Sequence, residues 1–457
     1  MSEINLPEGW VYSQLGEYLH LKNGYAFKSN SYVAKGDDTV PVIRISDIDG
    51  TTATDETAIH VRRADIVDGF EVKKGDLLIA MSGATTGKVG VYIGSEPAYQ
   101  NQRVGNLKLH SNVFGSAKYK DHLIASLTPE ILKIAYGGAQ PNISGKAIEE
   151  FRVALPPLAE QQQIAQKLDE LLAQVDSIKN RLDAIPTILK RFRQSVLAAA
   201  VGGRLTEEWR GNCSIDFDSW EKTDLGAVSN IATGKTPKRD QNEYWYNGTI
   251  PWLTSSATGN PLTYEAEQFV TDFAVKDCGL KLFDVGTLLL AMYGEGKTRG
   301  QVTELKISAA CNQACAAITV DESKILRKFV KLVLQENYEE TRKVAVGGAQ
   351  PNLNLNKVRE IPVLVPTLEE QTEIVRRVEQ LFSYADQIEQ RVKDAQARVN
   401  YLTQSILAKA FRGELTAEWR AQNPELISGE NSAAALLERI RGEREGVKGK
   451  VKKAKSS

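Results

Sequence analysis

The chain has 457 residues, enough for three or four domains of ordinary size, and its 42% apolar and 25% charged residues are the proportions of a globular protein. A formal net charge of −1 excludes a globally basic nucleic-acid coat, so any DNA-binding surface has to be local. No apolar run reaches membrane-spanning length and Met1 to Asn5 lack the regions of a secretory signal. Four cysteines and four scattered histidines suggest neither a disulfide framework nor a metal site, and a reduced cytoplasm fits best.

The first stretch is mixed in pattern. Val40 to Ile45 and Asp76 to Met81 read as short strands bounded by Gly and Asp, and Lys120 to Tyr136 as an amphipathic helix. From Leu158 to Gly203 the pattern changes. Ile164, Leu168, Leu171, Val175, Ile178, Leu182, Ile185, Leu189, Phe192 and Val196 recur at alternating steps of four and three, the a/d seam of a helix that pairs along its length. At ~1.5 Å per residue this seam runs about 50 Å. Glu160 sits in the acidic first turn after Pro157, Gly203 stands where a left-handed C-terminal cap is expected, and Pro186 predicts a kink or break.

The chain then starts again. Trp10, Leu15-Gly16 and Gly24 return 210 positions later as Trp220, Leu225-Gly226 and Gly234. Asp76 to Met81 returns as Thr287 to Met292, Asn101-Gln102 as Asn312-Gln313, and Gly137 to Asn142 without change as Gly347 to Asn352. Thr249 to Leu253 reads as a strand, and Leu326 to Val344 as a helix with Ile325, Phe329, Leu332 and Val333 on one face. The seam returns through Ile374, Val378, Leu381, Ala385, Ile388, Val392 and Leu402, opened by a Thr367/Glu370 capping box and closed by Gly413. Gln194 through Arg210, with its Leu-Thr-x-Glu-Trp-Arg ending, recurs as Gln404 through Arg420. Neither helix can bury its stripe alone, and each is the natural partner of the other. The stretches between matches diverge, as Lys28 to Thr39 against Lys238 to Gly248, so two α+β modules share a framework and differ in their loops.

The chemistry-bearing motifs are few. Ala291 to Thr298 fits a relaxed phosphate-loop pattern, but Arg299 to Thr303 reads as turn and strand where a phosphate loop needs a helix. There is no Asn-Pro-Pro-Tyr, no Gly-x-Ser-x-Gly and no His-Glu-x-x-His, so no catalytic residue is assigned. The polar candidates cluster at framework loops. In the first module they are Arg44, Lys88, Gln100 to Arg103, and Gln140 with Asn142; in the second, Lys235, Lys238, Arg239, Thr254-Ser255-Ser256, Lys297, Arg299, Asn312-Gln313, and Gln350 with Asn352. Arginine reads guanine and Asn or Gln reads adenine by paired hydrogen bonds. The repeated amides serve equally well as turn caps. The unshared basic residues, together with Gln102 and Ser255, are the DNA-binding candidates: Arg44, Lys88, Gln102, Arg103, Lys235, Lys238, Arg239, Ser255, Lys297 and Arg299.

The tandem of variable module and long helix, the repeated Gly-Gly-Ala-Gln-Pro-Asn, the Glu160-Gln161 and Glu370-Gln371 helix starts and the Leu-Thr-x-Glu-Trp-Arg segments resemble the specificity subunit of type I restriction–modification systems across essentially the whole chain. The resemblance implies two target recognition domains, each reading one half of a split asymmetric DNA site, and two conserved helical regions packed as an antiparallel coiled coil that sets the spacing. It implies a chain with no cofactor of its own, two methyltransferase subunits carrying S-adenosylmethionine, and ATP- and Mg-dependent restriction subunits. The fold expected is α+β with an internal pseudo-twofold repeat. Its parts are 1–157 and 219–366 as recognition domains, 158–203 and 367–413 as helical regions, 204–218 as linker and 414–457 as a C-terminal segment. In that segment Ser432 to Ile440 reads as a short helix and Lys448 to Lys455 as a basic tail. Trp209 and Trp419, just beyond the helices, are the expected partner-docking residues. Two other readings stand beside this one: a stand-alone sequence-specific DNA-binding scaffold without enzyme partners, and a nucleotide-binding enzyme using Lys297.

Overall fold

The computed structural model describes residues 6–137, 141–213, 219–293, 298–338 and 353–454, with side chains to residue 446. It divides into two compact units, Met1–Arg181 with Ala395–Ser457, and Leu182–Asp394.

In the first unit, strands Val11–Gln14 and Arg152–Leu155 pair antiparallel, which brings the ends of the module together and delivers the chain to the first long helix. Between them lie two five-stranded sheets. One has the order 19–23, 104–109, 77–80, 89–92, 52–53; the other has the order 32–33, 59–62, 39–43, 98–100, 71–72. Strand Leu77–Ala80 is apolar throughout because it is buried on both faces. Leu78 and Ala80 pack with Ile43, Val72 and Ala98 of the other sheet. Leu77 and Ile79, pointing the opposite way by the period-two rule, pack with helical residues Tyr119, Leu123 and Ile131. The second unit repeats the layering. Leu289 joins Leu253 and Cys311, while Leu288 and Leu290 join Phe329, Val330 and Val333. Strands Glu221–Asp224 and Pro362–Val365 pair antiparallel as their counterparts do, and between them lie a five-stranded sheet, 229–233, 315–320, 288–291, 302–305, 262–263, and a three-stranded one, 268–270, 250–253, 310–311.

The long helices are Leu158–Val201 and Leu368–Phe411, 44 residues each. Each unit takes half of each. In the first unit Ile164, Ala165 and Leu168 share a core with Leu407 and Ala410. In the second, Val196, Leu197 and Ala200 share one with Ile374, Val375 and Val378. The start of one helix thus meets the end of the other, which is antiparallel pairing within each unit. Gly203 and Gly413 close the helices at φ 74° and 75°, the left-handed conformation expected of their caps.

Several expectations are corrected. Pro186 does not break its helix, which is continuous from Leu158 to Val201. The proline removes one backbone hydrogen bond, at a local cost of ~3 kcal/mol, in a stretch where Leu182 and Ile185 are half-buried and Leu189 is buried. Of the seam, Ile164, Leu168, Val175, Ile374, Val378 and Val392 are buried, and Leu171, Leu182, Leu381 and Ile388 are half-buried. Ile178 is 45% exposed and Leu402 46%, so the stripe is not buried along its whole length. The 120–136 helix is two, Ala117–Ser126 and Thr128–Ala135, parted before Pro129, which starts the second. The C-terminal helix is longer than expected, Ala433–Ala454; Leu436, Leu437 and Ile440 pack beside Leu15, and Arg441 bonds Glu17 at 2.7 Å. Lys448 to Lys453 lie where no side chain is described, and Lys455 lies outside the described residues.

Candidate nucleic-acid interface

Each unit gathers its divergent loops at one edge by the same device. In the first unit strands Thr39–Ile43 and Ala98–Gln100 run parallel, so the chain leaves both at the same end. The Asn101 N–H donates to the Ile43 carbonyl at 2.9 Å, fixing the two exits side by side. The loop after Leu77–Ala80 joins them: Met81 N–H donates to the Arg103 carbonyl at 2.9 Å, and Thr85 Oγ1 to the Ile45 carbonyl at 3.1 Å. In the second unit Ile250–Leu253 and Ala310–Cys311 are the parallel pair, Asn312 N–H donates to Leu253 at 2.9 Å, and Met292 N–H to Ala314 at 2.8 Å. The close approach of the preceding loop needs glycine. A Cβ on Gly24 would stand 2.1 Å from the Asn101 carbonyl oxygen, and one on Gly234 only 1.6 Å from that of Cys311.

This edge sorts the candidate residues. Asn101 and Asn312 are framework: their Oδ1 atoms accept from Arg103 N–H at 3.4 Å and Ala314 N–H at 3.0 Å. Gln100 is buried and donates to the Lys22 carbonyl at 2.8 Å. Arg44 is held within its unit. Its Nη2 donates to the Thr57 carbonyl at 2.8 Å, and its Nε faces Asp47 at 3.4 Å. Arg239 donates to Gln268 at 2.7 Å and lies over the rings of Trp245 and Trp252 at 4.1 and 4.8 Å. Lys235 Nζ reaches the Cys278 carbonyl at 3.3 Å. Lys88, Gln102, Arg103 and Lys238 are exposed on these loops, with no side-chain hydrogen bond or ion pair among the described residues. Ser255 is half-buried and opens a short 3-10 helix, Ser255–Gly259. Arg299 is half-buried in the turn before strand Val302–Leu305, so strand and not helix follows the phosphate-loop pattern. Lys297, Gln140, Gln350 and Asn352 lie outside the described residues.

Away from this edge, a buried hub holds each module to the helices. Glu160, fully buried in the first turn of its helix, accepts from Trp10 Nε1 at 2.8 Å, Thr416 Oγ1 at 2.6 Å and Arg420 Nη2 at 2.8 Å; Arg420 also donates to the Gly413 carbonyl. Glu370 repeats this with Trp220 Nε1 at 2.9 Å, Thr206 Oγ1 at 2.7 Å and Arg210 Nη1 at 2.6 Å, and Arg210 donates to the Gly203 carbonyl at 2.6 Å. The neighbouring glutamines are buried too. Gln161 Oε1 accepts from Tyr18 and its Nε2 donates to the Pro156 carbonyl; Gln371 does the same with the Leu326 N–H and the Pro366 carbonyl. The expected capping box is therefore only half made. Thr367 Oγ1 accepts from Glu370 N–H at 3.3 Å, but the Glu370 carboxylate is committed to the hub. Sequence reasoning found every member of the hub as a repeated residue and assigned none of them to it. Trp209 and Trp419 are half-buried beside it.

Among the described residues no cluster of His, Cys, Asp or Glu could hold a metal ion, and no helix is long and apolar enough to cross a membrane. The sequence model of the type I restriction modification DNA specificity domain matches residues 7–187 and again 218–395. The type I restriction enzyme EcoBI specificity subunit of Escherichia coli is 37% identical, covering 98% of this chain and 95% of its own length. The StySPI specificity subunit of Salmonella potsdam is 35% identical, covering 97% of both. The fold is similar to that of the HsdS subunit from Thermoanaerobacter tengcongensis, with a TM-score of 0.57 at 17% identity over 90% of this chain and 99% of that one. A solved chain of the type I R-M system gives 0.64 at 17% identity, over 90% of this chain and all of its own. The chain belongs to the specificity subunits of type I restriction–modification systems, the non-catalytic members of those systems, and carries their DNA specificity domain twice.

Proposed function

We propose that this subunit reads a bipartite, asymmetric DNA site, one half with each loop edge, and that the paired helices act as the spacer between the two readers. The observation that carries the reading is the contrast within the repeat. The same parallel-strand exits occur at both edges, but Arg44, Lys88 and Arg103 stand on one and Lys235, Lys238 and Thr254 to Ser256 on the other. Unlike loops on a shared scaffold read unlike half-sites, so the target is not a palindrome. Exposed Lys88, Arg103 and Lys238 suit phosphates or guanine edges, and Gln102 suits adenine. Arg44 and Arg239, bound within their own units, shape the edges. Helices of 44 residues, at ~1.5 Å per residue, are longer than the ~34 Å of one DNA turn.

The reactions belong to partners. Two methyltransferase subunits bringing S-adenosylmethionine, and restriction subunits bringing ATP and Mg, complete the complex in the cytoplasm. Inserting one heptad into both helices is expected to lengthen the gap between half-sites and leave both half-site sequences as they were, read by sequencing methylated DNA. An unchanged gap would refute the spacer role. Trp209 and Trp419, each with the surface just past its own helix end, belong to the surfaces that dock the methyltransferase subunits. Replacing both by alanine is expected to lower copurification with it, and an undiminished complex would remove them from that surface.

A further inference from the structure

The two edges differ at one place in a way that identifies a ligand. In the first unit the chain leaves strand Thr39–Ile43 at Arg44, which starts a 3-10 turn ending at Asp47. Arg44 reaches across to the connection ahead of strand Ile59–Arg62, donating to the Thr57 carbonyl, while Thr57 Oγ1 donates to Asp47 Oδ1 at 2.8 Å. A guanidinium and a carboxylate thus bridge the gap between turn and connection.

The second unit places other residues at the same exit. Leu253, like Ile43, accepts from the asparagine N–H of the neighbouring strand, so Thr254 takes the position of Arg44 and Ala257 that of Asp47. Thr254 turns back on its own loop, 2.7 Å from Ser256 Oγ. Among the described residues no side-chain hydrogen bond runs from Thr254, Ser255 or Ser256 to the connection ahead of strand Gln268–Val270. In place of the bridge is a cleft of about 230 Å³, lined among others by Thr254, Ser256, Tyr264, Glu265, Glu267 and Gln268. Its far wall is braced, since Gln268 Oε1 already accepts from Arg239.

We propose that this cleft is a base-reading pocket of the second unit, and that it takes the exocyclic amino group of an adenine or cytosine. Where the first unit fills its gap with a guanidinium, the second has Glu265 and Glu267 among the residues lining its cleft, both exposed and paired with no cation among the described residues, and leaves the donor to be supplied from outside. Carboxylates repel phosphate and accept from a base amine, so the pocket reads bases and not backbone. The neighbouring Lys238, exposed and without a side-chain partner among the described residues, is the group placed to meet the backbone. This inference rests on the reading of the chain as a DNA-reading subunit.

The test uses the full chain in its coexpressed complex with methyltransferase subunits, presented with a pool of duplexes randomised across both half-sites. Methylated products are sequenced for the wild type, for the Glu265→Ala/Glu267→Ala double variant, and for Thr254→Arg, which supplies the bridging side chain of the first unit. Both variants are expected to lose about tenfold in discrimination at one or two adjacent positions of one half-site, the other half-site being unchanged. At the position so mapped, a duplex lacking the amine (purine for adenine, or 4-deoxy pyrimidinone for cytosine) is expected to cost the wild type about tenfold and the double variant nothing. Preferences unchanged in both variants, or activity falling evenly over all sequences, would overturn the pocket alone. An equal penalty for the missing amine in wild type and double variant would overturn its ligand. A wild type that selects no two-part motif would overturn the DNA-reading proposal and the pocket with it.

Discussion

At Glu160 and Glu370 the two units make the same bonds to the same residue types at nearly the same distances: tryptophan, threonine and arginine on a fully buried carboxylate. At the exits of Thr39–Ile43 and Ile250–Leu253 they agree in backbone and in almost no side chain, an arginine–aspartate bridge standing against an open cleft. The difference follows from what each place must do. The hub ties the start of a module, the first turn of one helix and the segment after the other helix, so every member is constrained by three chain segments at once. The edge needs only its backbone exits fixed, and two asparagine N–H groups do that whatever side chains surround them.

The sharpest way to break the comparison is to remove a hub carboxylate. Glu160→Ala leaves Arg420 half-enclosed and Glu370→Ala leaves Arg210 buried, each without its anion. Losing one partner of such a buried pair costs about 3–5 kcal/mol. The loss is expected in the hydrogen-exchange protection of the unit that holds the altered residue. Equal loss in both units from either change would show that the hubs are not local clamps. Replacing an exposed loop residue such as Gln102 by alanine should, in contrast, leave denaturation midpoints where they were.

The same contrast explains what could be read from the sequence. The seam, the tandem repeat, the strands Leu77–Ala80 and Leu288–Ala291 and the glycine caps were legible, because each is a local pattern that burial or a left-handed φ imposes on consecutive residues. The hub was visible only as repetition. Glu160 in a first turn reads as a helix-dipole or capping residue, and nothing local says that its partners are 150 and 260 positions away. At Pro186 the local rule predicts a kink or a break, and the helix runs through it unbroken. Arg44 and Arg239 could not be separated from Lys88 or Arg103 without the geometry, since their partners lie on other loops.

A smaller break is available at the glycines that let the loops reach the edge. Gly234→Ala would place a Cβ 1.6 Å from the Cys311 carbonyl oxygen, and Gly24→Ala one at 2.1 Å from that of Asn101. The opposing atom is backbone in both, so the loop itself has to move, at a cost of about 1–3 kcal/mol. Because Lys235 and Lys238 follow Gly234, the displacement is expected to weaken DNA binding through the second unit as well as lower its stability. The matching alanine at Gly75, where a Cβ meets nothing within 4 Å, controls for crowding, though its φ of 89° adds strain of its own. A Gly234→Ala chain with unaltered stability and binding would mean that the close approach plays no part in placing the edge.

The smallest effect is expected where the second unit carries an ion pair outside both hub and edge. Arg193 donates to Asp386 at 2.7 Å and to Glu389 at 3.0 Å across the helix pair, with Asp386 70% exposed. The Glu389 carboxyl is held below the usual carboxylate range, chiefly by the hydrogen bond from Arg193 and then by Lys393. A carboxyl whose folded pKa is lowered contributes stability above its ordinary, unfolded value and loses it as the pH falls through the folded one. Arg193→Met keeps the apolar stem and removes the charge, so it should slightly flatten that acidic decline and cost no more than about 1 kcal/mol at neutral pH, less in high salt. Denaturation midpoints of both chains between pH 3 and 7, at two salt concentrations, measure it. A cost approaching that of Glu370→Ala would place this pair among the clamps and would mean that exposure does not separate the residues that hold the fold from those that decorate it.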